Sequence, residues 1–386
     1  MSRSEFLSFS PPCLSEAEVE AAAEVLRAGV WLSSGPKTKE FEEKFAHVVQ
    51  APKALALNSC TAGLHLGLKI LGVRPGDEVI TTPMTFCATA NVVEHLGGTV
   101  VLADVEPDTL LISPEEISKK ITSKTRVITP VHYAGHPCDM AKINSFGTDK
   151  TFVLEDAAHC MPSRIGEKPV GASGNLTAFS FYANKNMTTG EGGMLTGTPD
   201  LIDQARMMAL HGMSKGAYDR FNKGGQWRYD VPEPGFKYNM TDMAAAIGLA
   251  QLSRLDELYK RRMAMVETYN RELASSDVVQ IPKVKKGYQS SYHLYFVQLN
   301  LDRLKLTRDE FLVQMQERNI GCSVHYLPIH MLSFYAKKYG WKPGSFPVAE
   351  KAFERLVSLP LSSRYTPADA MDVVEAIHDI GKKFRR

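Results

Sequence analysis

The strongest constraint on the fold of this chain is an alternation of short apolar segments with helical segments, which begins near Lys53. The apolar segments are 54–57, 77–82, 99–104, 126–131 and 151–154. Short apolar strands that alternate with helices indicate βαβ crossovers and a mainly parallel sheet that is buried on both faces. The sequence therefore predicts an α/β fold, in which a ligand would bind beyond the carboxyl ends of the strands.

Polar and aromatic residues follow several of these predicted strands. Residues 59–61 open a helix after the first strand, where backbone N–H groups and the helix dipole suit a phosphate. Phe86 follows the second strand, and Asp156 and His159 follow the fifth. Each also has a purely structural interpretation: Phe86 as a core residue, Asp156 as a helix cap and His159 as a buried histidine with satisfied hydrogen bonds.

A lysine follows the last strand of this region, within the stretch TAFSFYANKNMTTGEGGM at 177–194. The apolar and aromatic residues at its start predict a buried strand, so Lys185 is expected on a turn between that strand end and a glycine cluster. A desolvated lysine can act as a nucleophile, because only the neutral amine attacks a carbonyl. Taken alone, however, a lysine beside glycines more often marks a solvated turn.

The combination of these residues at one sheet edge is more informative than any one of them. A phosphate site at a helix start, an aromatic ring, a carboxylate and a lysine nucleophile are what pyridoxal 5′-phosphate (PLP) requires. The sequence therefore predicts a PLP site that includes Phe86, Asp156 and Lys185.

The pattern of the chain changes after about residue 241. The predicted elements there are a long helix over 241–274, a strand over 287–299, a helix over 307–317, a strand over 321–325 and a closing helix over 366–384. This mixture suggests a smaller α+β domain. The chain of 386 residues also exceeds the roughly 250 to 300 residues at which a single core stops growing. We therefore predict a large domain over 1–255, which includes an N-terminal helical arm, and a small C-terminal domain over 256–386.

Composition and charge exclude several classes of function. The 45 Lys and Arg residues nearly balance the 43 Asp and Glu residues, and the net charge of +2 gives no reason to expect nucleic acid or a membrane surface as a partner. No charged and apolar leader opens the chain, and no run of about 18 apolar residues occurs, so a cytoplasmic protein is expected. The six cysteines are scattered singly, which predicts reduced thiols, with no disulfide framework and no metal site.

Six separated motifs resemble, in the same order, those of a known family. They are NSCTAG at 58–63, PMTF at 83–86, PVHYAG at 130–135, EDAAH at 155–159, SFYANK at 180–185 and GEGG at 190–193. On these motifs the chain is similar to the sugar aminotransferases of the DegT/DnrJ/EryC1/StrS family. The resemblance implies the type I fold of PLP-dependent aminotransferases and a homodimer with active sites at the subunit interface.

The resemblance also implies a role for each site residue. Lys185 would be the lysine that forms a Schiff base with PLP, and Phe86 would stack on the ring. Asp156, with His159 nearby, would pair with the pyridine nitrogen. The contacts to the phosphate would come from Cys60, Thr61, Ser180 and, from the neighbouring subunit, Asn239. Because a thiol is a poor phosphate donor, only the backbone N–H of Cys60 is expected to make that contact.

The substrate is less clearly indicated. Three stretches are similar to the branch of the family that makes UDP-4-amino-4-deoxy-L-arabinose: WLSSGP at 31–36, GMSKGAYDR at 212–220 and PGFKYNMTD at 234–242. The segment HYLPIH at 325–330 instead resembles 4-aminotransferases of 6-deoxysugars. The candidate contacts to the sugar or its pyrophosphate are Trp31, Arg228, Tyr326 and His330, each of which could equally be a packing residue.

The function implied by the resemblance is transfer of an amino group from L-glutamate to a nucleotide-linked keto-sugar, at C4 in the first instance. In this ping-pong cycle 2-oxoglutarate leaves before the sugar binds, and between the two half-reactions the cofactor is pyridoxamine 5′-phosphate (PMP). Lipopolysaccharide or glycan biosynthesis is the setting suggested by analogy. Transfer at C3, transfer to another keto-sugar and a non-catalytic sensor that keeps the fold stay open. Lys185 argues against the dehydratase branch, in which histidine replaces the lysine.

Overall fold

The computed structural model describes residues 3–214 and 229–386, and its strands form one large and two small sheets. The strands are, in chain order, β1 (Lys53–Leu57), β2 (Glu78–Thr81), β3 (Thr99–Leu102), β4 (Thr125–Ile128), β5 (Phe152–Asp156), β6 (Arg164–Ile165), β7 (Lys168–Pro169), β8 (Leu176–Ser180), β9 (Gly193–Gly197), β10 (Val279–Gln280), β11 (Tyr288–Gln289), β12 (Tyr295–Leu299) and β13 (Leu356–Leu359). The large sheet has the order β1-β9-β8-β5-β4-β2-β3, and the small sheets have the orders β10-β12-β13 and β11-β6-β7.

Helices connect most of these strands. In the described part of the chain they are α1 (Glu16–Ala28), α2 (Pro36–Val48), α3 (Cys60–Ile70), α4 (Ala88–His95), α5 (Pro114–Lys120), α6 (Met140–Asn144), α7 (Pro199–Met208), α8 (Asp242–Ser253), α9 (Leu255–Leu273), α10 (Arg308–Gln316), α11 (Ser333–Tyr339), α12 (Pro347–Phe353) and α13 (Pro367–Lys383). Hydroxyl side chains begin several of them, and α1, α10 and α13 each start with a capping box.

The large sheet confirms the predicted α/β fold. Its pairs are parallel except at β9, which is antiparallel to both of its neighbours. Successive side chains of a strand point to opposite faces. Accordingly, Leu55 and Leu57 of β1 lie in one apolar core, whereas Ala54 and Ala56 lie in another. Burial on both faces explains why the predicted strands are continuous apolar runs.

The single long helix predicted over 241–274 is wrong. The structure has two helices, α8 and α9, because the backbone at Arg254 departs from helical geometry with φ of −105° and ψ of 6°. The guanidinium of Arg254 donates hydrogen bonds to Glu18 at 2.8 Å and to Ser15 at 2.7 Å, both at the start of α1. The break between α8 and α9 therefore lies where Arg254 contacts the start of α1.

The C-terminal part of the chain forms a second core with the sheet β10-β12-β13. The predicted helices near 307–317 and 366–384 are present as α10 and α13. The strand predicted over 287–299 is split into β11 and β12, and 321–325 makes only an isolated bridge through Ser323. Leu7 lies in this core, and α12 contributes Ala349 and Ala352 to the core of the large sheet. Packing therefore crosses the predicted domain boundary at residue 255 in both directions.

Three further observations concern membrane-spanning helices, metal sites and cysteines among the described residues. None of the helices in residues 3–214 and 229–386 is long and apolar enough to cross a membrane. In the same ranges, no group of three or more His, Cys, Asp or Glu side chains is arranged to hold a metal ion. The six cysteines are free thiols.

Candidate active site

The residues that follow the predicted strands meet at the carboxyl edge of the large sheet. Asp156 is the last residue of β5, Ser180 is the last residue of the neighbouring strand β8, and Cys60 begins α3 just beyond β1. Lys185 lies on the loop that follows β8. The charges of Asp156 and Lys185 both act on the Cys60 thiol, so the three side chains share one site.

Lys185 has the ionisation behaviour that a nucleophile needs. Desolvation by the surrounding protein lowers the pKa of its amine to about 8, although the negative charge of Asp156 acts in the opposite direction. With this pKa, about a tenth of the amine is neutral at pH 7. The Lys185 Nζ lies 3.4 Å from Nε2 of His293. A lysine in this environment is not the solvated turn residue that the sequence also allowed.

Asp156 is a buried carboxylate with unused hydrogen-bonding capacity. Its Oδ2 accepts a hydrogen bond from the Thr89 hydroxyl at 2.8 Å, and its Oδ1 accepts one from the Ala158 N–H at 3.1 Å. Burial raises the pKa of this carboxyl. A carboxylate can accept about four hydrogen bonds, so a further donor can bind here. Asp156 precedes turns and not a helix, which rules out the helix-cap interpretation.

His159 and Tyr326 form a neutral hydrogen-bonded pair beside the lysine. Nδ1 of His159 accepts a hydrogen bond from the Ala134 N–H at 3.2 Å, so the ring proton is on Nε2, which lies 3.1 Å from the Tyr326 hydroxyl. Burial lowers the pKa of His159 well below its usual value. The imidazole therefore donates to Tyr326 as a neutral group.

Phe86 is exposed at the same place. Its side chain is 59% exposed, so the interpretation of Phe86 as a core residue is wrong. Its ring lies 5.9 Å from the ring of Tyr326. An exposed aromatic ring held at the edge of a site is suited to stacking on a planar ligand.

The start of α3 offers two backbone donors. The Ser59 hydroxyl accepts from the Ala62 N–H at 3.1 Å, whereas the N–H groups of Cys60 and Thr61 find no acceptor within residues 3–214 and 229–386. Free N–H groups at the positive end of a helix dipole bind anions. Burial raises the pKa of the Cys60 thiol well above its usual value. The thiol therefore stays neutral and does not repel an anion bound at this helix start.

Gly193, in the glycine cluster that follows Lys185, allows this helix start to approach β9. A Cβ atom at Gly193 would lie 2.4 Å from the Ser59 carbonyl carbon and 2.5 Å from the Cys60 nitrogen. Backbone atoms cannot move aside as a flexible side chain can. Glycine is therefore required here by close approach.

Replacing Gly193 with alanine is expected to displace the start of α3 and weaken PLP binding by about tenfold or more, because one or both backbone donors would move. Fluorescence titration of the apoprotein with PLP measures this change. Gly174→Ala is a matched control, since Gly174 has φ of +87° and nothing within 4 Å of its Cβ position. The control should lose about 1 kcal/mol of stability without losing affinity. Equal PLP affinity in Gly193→Ala and wild type would contradict the assignment.

Trp31 and Asn239 lie together on a cleft of about 320 Å³. The side chain of Asn239 donates to the Ser34 hydroxyl at 2.9 Å, and its backbone forms a β-bridge with Leu57, two residues before the capping Ser59. The Asp242 carboxylate holds the Trp31 loop by accepting from three backbone N–H groups: Gly35, Lys37 and Thr38. The structure therefore joins two of the sequence motifs at the wall of one cleft.

The structure does not support His330 as a substrate contact. His330 is only 2% exposed, and its Nε2 lies 2.9 Å from Glu350, so the structure favours the packing role that the sequence left open. Arg228 lies outside the described residues. Tyr326 is the one candidate from the segment 325–330 that contacts other site residues.

The sequence analysis missed three polar residues of the site. Thr89 binds Asp156, and Asn186 and His293 lie beside Lys185. Asn186 directly follows Lys185, which is a signal that could have been used. His293 belongs to the segment between β11 and β12, more than one hundred residues away in the chain. No local pattern connects the two.

The residues present fit PLP. They supply an amine of lowered pKa, a buried carboxylate with spare acceptor capacity, an exposed aromatic ring and a helix start with free N–H groups. Together with the mainly parallel sheet, they define a PLP-dependent aminotransferase of fold type I.

Comparison with known proteins places the chain more narrowly. Residues 12–378 match the DegT/DnrJ/EryC1/StrS aminotransferase family. The chain belongs to this family. It is 43% identical to the spore coat polysaccharide biosynthesis protein SpsC of Bacillus subtilis, over 98% of each chain. It is also 43% identical, over the full length of both chains, to the uncharacterized protein MJ1066 of Methanocaldococcus jannaschii.

Solved structures agree with this membership. The PLP form of the protein named as sugar aminotransferase Spr1654 from Streptococcus pneumoniae superposes with a TM-score of 0.91 at 33% identity, over 98% of this chain and 99% of that one. Its PMP form gives the same TM-score at 34% identity, over 97% and 99%. PseC of Helicobacter pylori, an aminotransferase of pseudoaminic acid biosynthesis, gives 0.90 at 26% identity, over 98% and 100%. PLP and PMP are therefore the cofactor forms of this protein.

Proposed function

We propose that this protein transfers the amino group of L-glutamate to C4 of a nucleotide-linked keto-sugar by a ping-pong cycle. The observation that carries the proposal is the position of Lys185, whose amine has a pKa of about 8, within the electrostatic reach of the buried carboxylate of Asp156. An amine and a carboxylate at the end of a parallel sheet are the minimum that amino transfer through PLP requires. Bound PLP would supply an electron-withdrawing ring, which stabilises the negative charge left when the α-proton of the amino donor is removed.

Each residue has a defined task in this proposal. Lys185 would hold the cofactor and would carry the proton that moves between the α-carbon of the amino donor and C4′ of the cofactor. Asp156 accepts a hydrogen bond from the pyridine N–H and keeps that nitrogen protonated, while His159 lies beside it and Phe86 covers the ring. The phosphate is held by the N–H groups of Cys60 and Thr61, by the Ser180 hydroxyl and, across the subunit interface, by Asn239.

The substrate assignment is supported by the cleft and by the relatives. Trp31 is 40% exposed on the cleft wall, where an aromatic face can pack on a sugar or a base. The Tyr326 hydroxyl accepts from His159 and can donate to a substrate oxygen. SpsC is named for spore coat polysaccharide biosynthesis, and PseC is an aminotransferase of pseudoaminic acid biosynthesis. Arg228 is retained as a candidate for the pyrophosphate.

The test is to measure the two half-reactions separately. PLP-loaded protein should release one equivalent of 2-oxoglutarate from L-glutamate as the absorbance of the PLP form is lost. The PMP form should then aminate one member of a panel that contains UDP-4-ketopentose, nucleotide-linked 4-keto-6-deoxysugars and their 3-keto isomers. Mass spectrometry and NMR of the product identify the carbon that carries nitrogen. Amination at C3, or turnover of a free sugar, would contradict the proposal, and bound PLP without any turnover would favour a sensor.

We also infer a homodimer in which Asn239 acts on the neighbouring subunit's cofactor. Large apolar side chains are exposed just before α1, along it and on the loop after it, which is unusual for a surface without a partner: Leu14, Val19, Leu26, Val30 and Leu32. A second copy that covered this face would bring the Trp31 loop and Asn239 to its interface.

Mixing two inactive variants tests this arrangement. Lys185→Ala and Asn239→Ala subunits are each expected to be impaired alone, but their heterodimer contains one site with both residues intact. At equal subunit amounts, random exchange makes half of the dimers mixed, so about a quarter of wild-type activity should return. Lys185→Ala mixed with Lys185→Arg is the control and should recover nothing. Proven subunit exchange without recovery would place Asn239 in its own subunit's site.

A further inference from the structure

One polar side chain that the proposed cycle does not use, His293, lies against the Lys185 amine, and Asn186 contacts the other nitrogen of its ring. His293 is 3% exposed, and its Nε2 is 3.4 Å from Lys185 Nζ. Its Nδ1 is 3.3 Å from the side-chain oxygen of Asn186. The side-chain nitrogen of Asn186 donates to the Ser291 carbonyl at 2.9 Å.

These contacts determine which nitrogen of His293 carries the proton. A carbonyl oxygen only accepts, so the Ser291 carbonyl requires the NH₂ group of Asn186 on its side and leaves the amide oxygen toward His293. An amide oxygen also only accepts, so Nδ1 of His293 must carry the proton. In the neutral ring, the unprotonated nitrogen is then Nε2, which faces Lys185.

The ring stays neutral in these surroundings. Burial lowers the pKa of His293 well below its usual value, and the positive charge of Lys185 lowers it further. The other imidazoles near the amine belong to His159 and His325, and burial lowers both of their pKa values, that of His325 to about 4. The negative charge that acts on Lys185 is that of Asp156, since the buried Cys60 thiol is neutral. His293 therefore remains an acceptor throughout the neutral pH range.

We propose that His293, held in one tautomer by Asn186, is a positioning residue for the Lys185 amine. This inference rests on the proposed function, because it gives a purpose to the orientation of that amine. When the amine is neutral, one N–H points at Nε2 of His293 and the lone pair is turned away from it, toward the site. When the amine is an ammonium, the same contact stabilises the charge that Lys185 holds after it has taken a proton.

The backbone around His293 is fixed independently of this contact. The buried guanidinium of Arg262 donates to the carbonyl oxygens of Tyr292 at 3.1 Å and His293 at 3.4 Å. The His293 ring also lies 4.3 Å from the ring of His159. A purely structural role would need only this packing, which an apolar side chain of similar size would preserve, whereas a positioning role needs the acceptor atom at Nε2.

The experiment compares His293→Leu, His293→Gln and Asn186→Leu with wild type. The first readout is the pKa of Lys185 in the apoprotein, measured by ¹³C NMR after reductive methylation, with Lys185→Arg used to assign the resonance. In wild type the midpoint is expected at about 8. His293→Leu should lower it by about one pH unit, because the ammonium loses its acceptor in a desolvated place. His293→Gln keeps an acceptor and should stay near wild type.

The second readout is the glutamate half-reaction of the loaded enzyme. His293→Leu should reduce its rate constant by about tenfold or more, while the glutamate concentration for half-maximal rate changes little. Asn186→Leu removes the acceptor that fixes the proton on Nδ1 of His293. It should therefore shift both readouts in the same direction as His293→Leu, but by a smaller amount. If His293→Leu does not fold, Asn186→Leu decides the matter.

The outcomes separate this inference from the proposed function. An unchanged Lys185 pKa in a folded His293→Leu or Asn186→Leu variant would overturn the positioning role. His293→Leu could lower the pKa of Lys185 even if the wild-type protein transferred no amino group. That result would support the contact and contradict only the proposed function, since the apoprotein measurement needs neither cofactor nor substrate.

Discussion

Replacing Lys185 with alanine is expected to reduce amino transfer by at least about 10⁴-fold and to leave the fold intact. Two tasks are lost together, because the same amine is proposed to hold the cofactor and to carry the proton. A positioned proton carrier alone contributes about 10²–10⁴ in rate. No other lysine is proposed to take its place, since Lys185 is the one that follows β8 at the site edge.

The expected stability of this variant follows from the surroundings of the amine. Desolvation lowers the pKa of Lys185, which means that its charged form is less favourable in the folded protein than in the unfolded chain. This cost is fully present below about pH 8 and disappears as the pH rises to the pKa of the unfolded chain. Removal of the side chain relieves this cost but leaves a space, and the melting temperature should change by only a few degrees. Its one side-chain hydrogen-bond contact in the described ranges is to His293.

The measurement combines steady-state turnover with borohydride reduction of the PLP-loaded protein. In wild type, mass spectrometry of peptides should locate the reduced cofactor on Lys185, and the variant should retain none after dialysis. Lys185→Arg is the matched control, because it keeps a positive charge of similar reach without a nucleophilic amine. Turnover by Lys185→Ala above about one hundredth of the wild-type rate would assign the chemistry to a different residue.

Much of the large sheet could be predicted because its signals are local. Strands buried on both faces are continuous apolar runs, and the rule that ligands bind beyond their carboxyl ends then selects a few short segments. Asp156 and Lys185 were found in this way, and both lie where the rule puts them. The hydroxyl caps at Ser15 and Thr366, where α1 and α13 begin, are likewise local features of the sequence.

Features that depend on distant packing could not be predicted. The break at Arg254 occurs in a segment that the sequence predicts as one helix, and Arg254 at this point binds Glu18 of α1, which is distant in the chain. Backbone hydrogen bonds to the carbonyl oxygens of Ala134 and Gly135 hold the segment that carries His293. These contacts are distant in the chain, so no spacing in the sequence connects His293 with Lys185. His330 and Phe86 show the converse, because residue type alone does not tell a buried side chain from an exposed one.

Replacing Asp156 with asparagine is the second large effect that we expect, with the glutamate half-reaction slowed by about 10²–10³-fold. An amide cannot stabilise a protonated pyridine nitrogen as an anion does, and the ring would then withdraw electrons less strongly when the α-proton leaves. A rate loss of this size is typical when one preorganised electrostatic contact is removed from a site that excludes water.

The same variant should fold normally, which makes the kinetic effect interpretable. The asparagine oxygen can accept from the Ala158 N–H, and its NH₂ group can donate to the Thr89 hydroxyl, which in turn can donate to Thr85 at 2.8 Å. Because burial raises the pKa of Asp156 above its unfolded value, the ionised carboxylate destabilises the folded apoprotein at neutral pH. The neutral amide is therefore expected to leave the melting temperature unchanged or slightly higher.

Stopped-flow absorbance of the glutamate half-reaction in wild type, Asp156→Asn and Thr89→Val separates the charge of Asp156 from its orientation. Thr89→Val removes only the hydroxyl that binds Oδ2, so its rate should fall by about tenfold or less while PLP affinity is kept. A larger loss in Thr89→Val than in Asp156→Asn would mean that orientation matters more than charge. An unchanged rate in Asp156→Asn would remove the carboxylate from the site chemistry altogether, because an isosteric amide retains every protein contact and lacks only the negative charge.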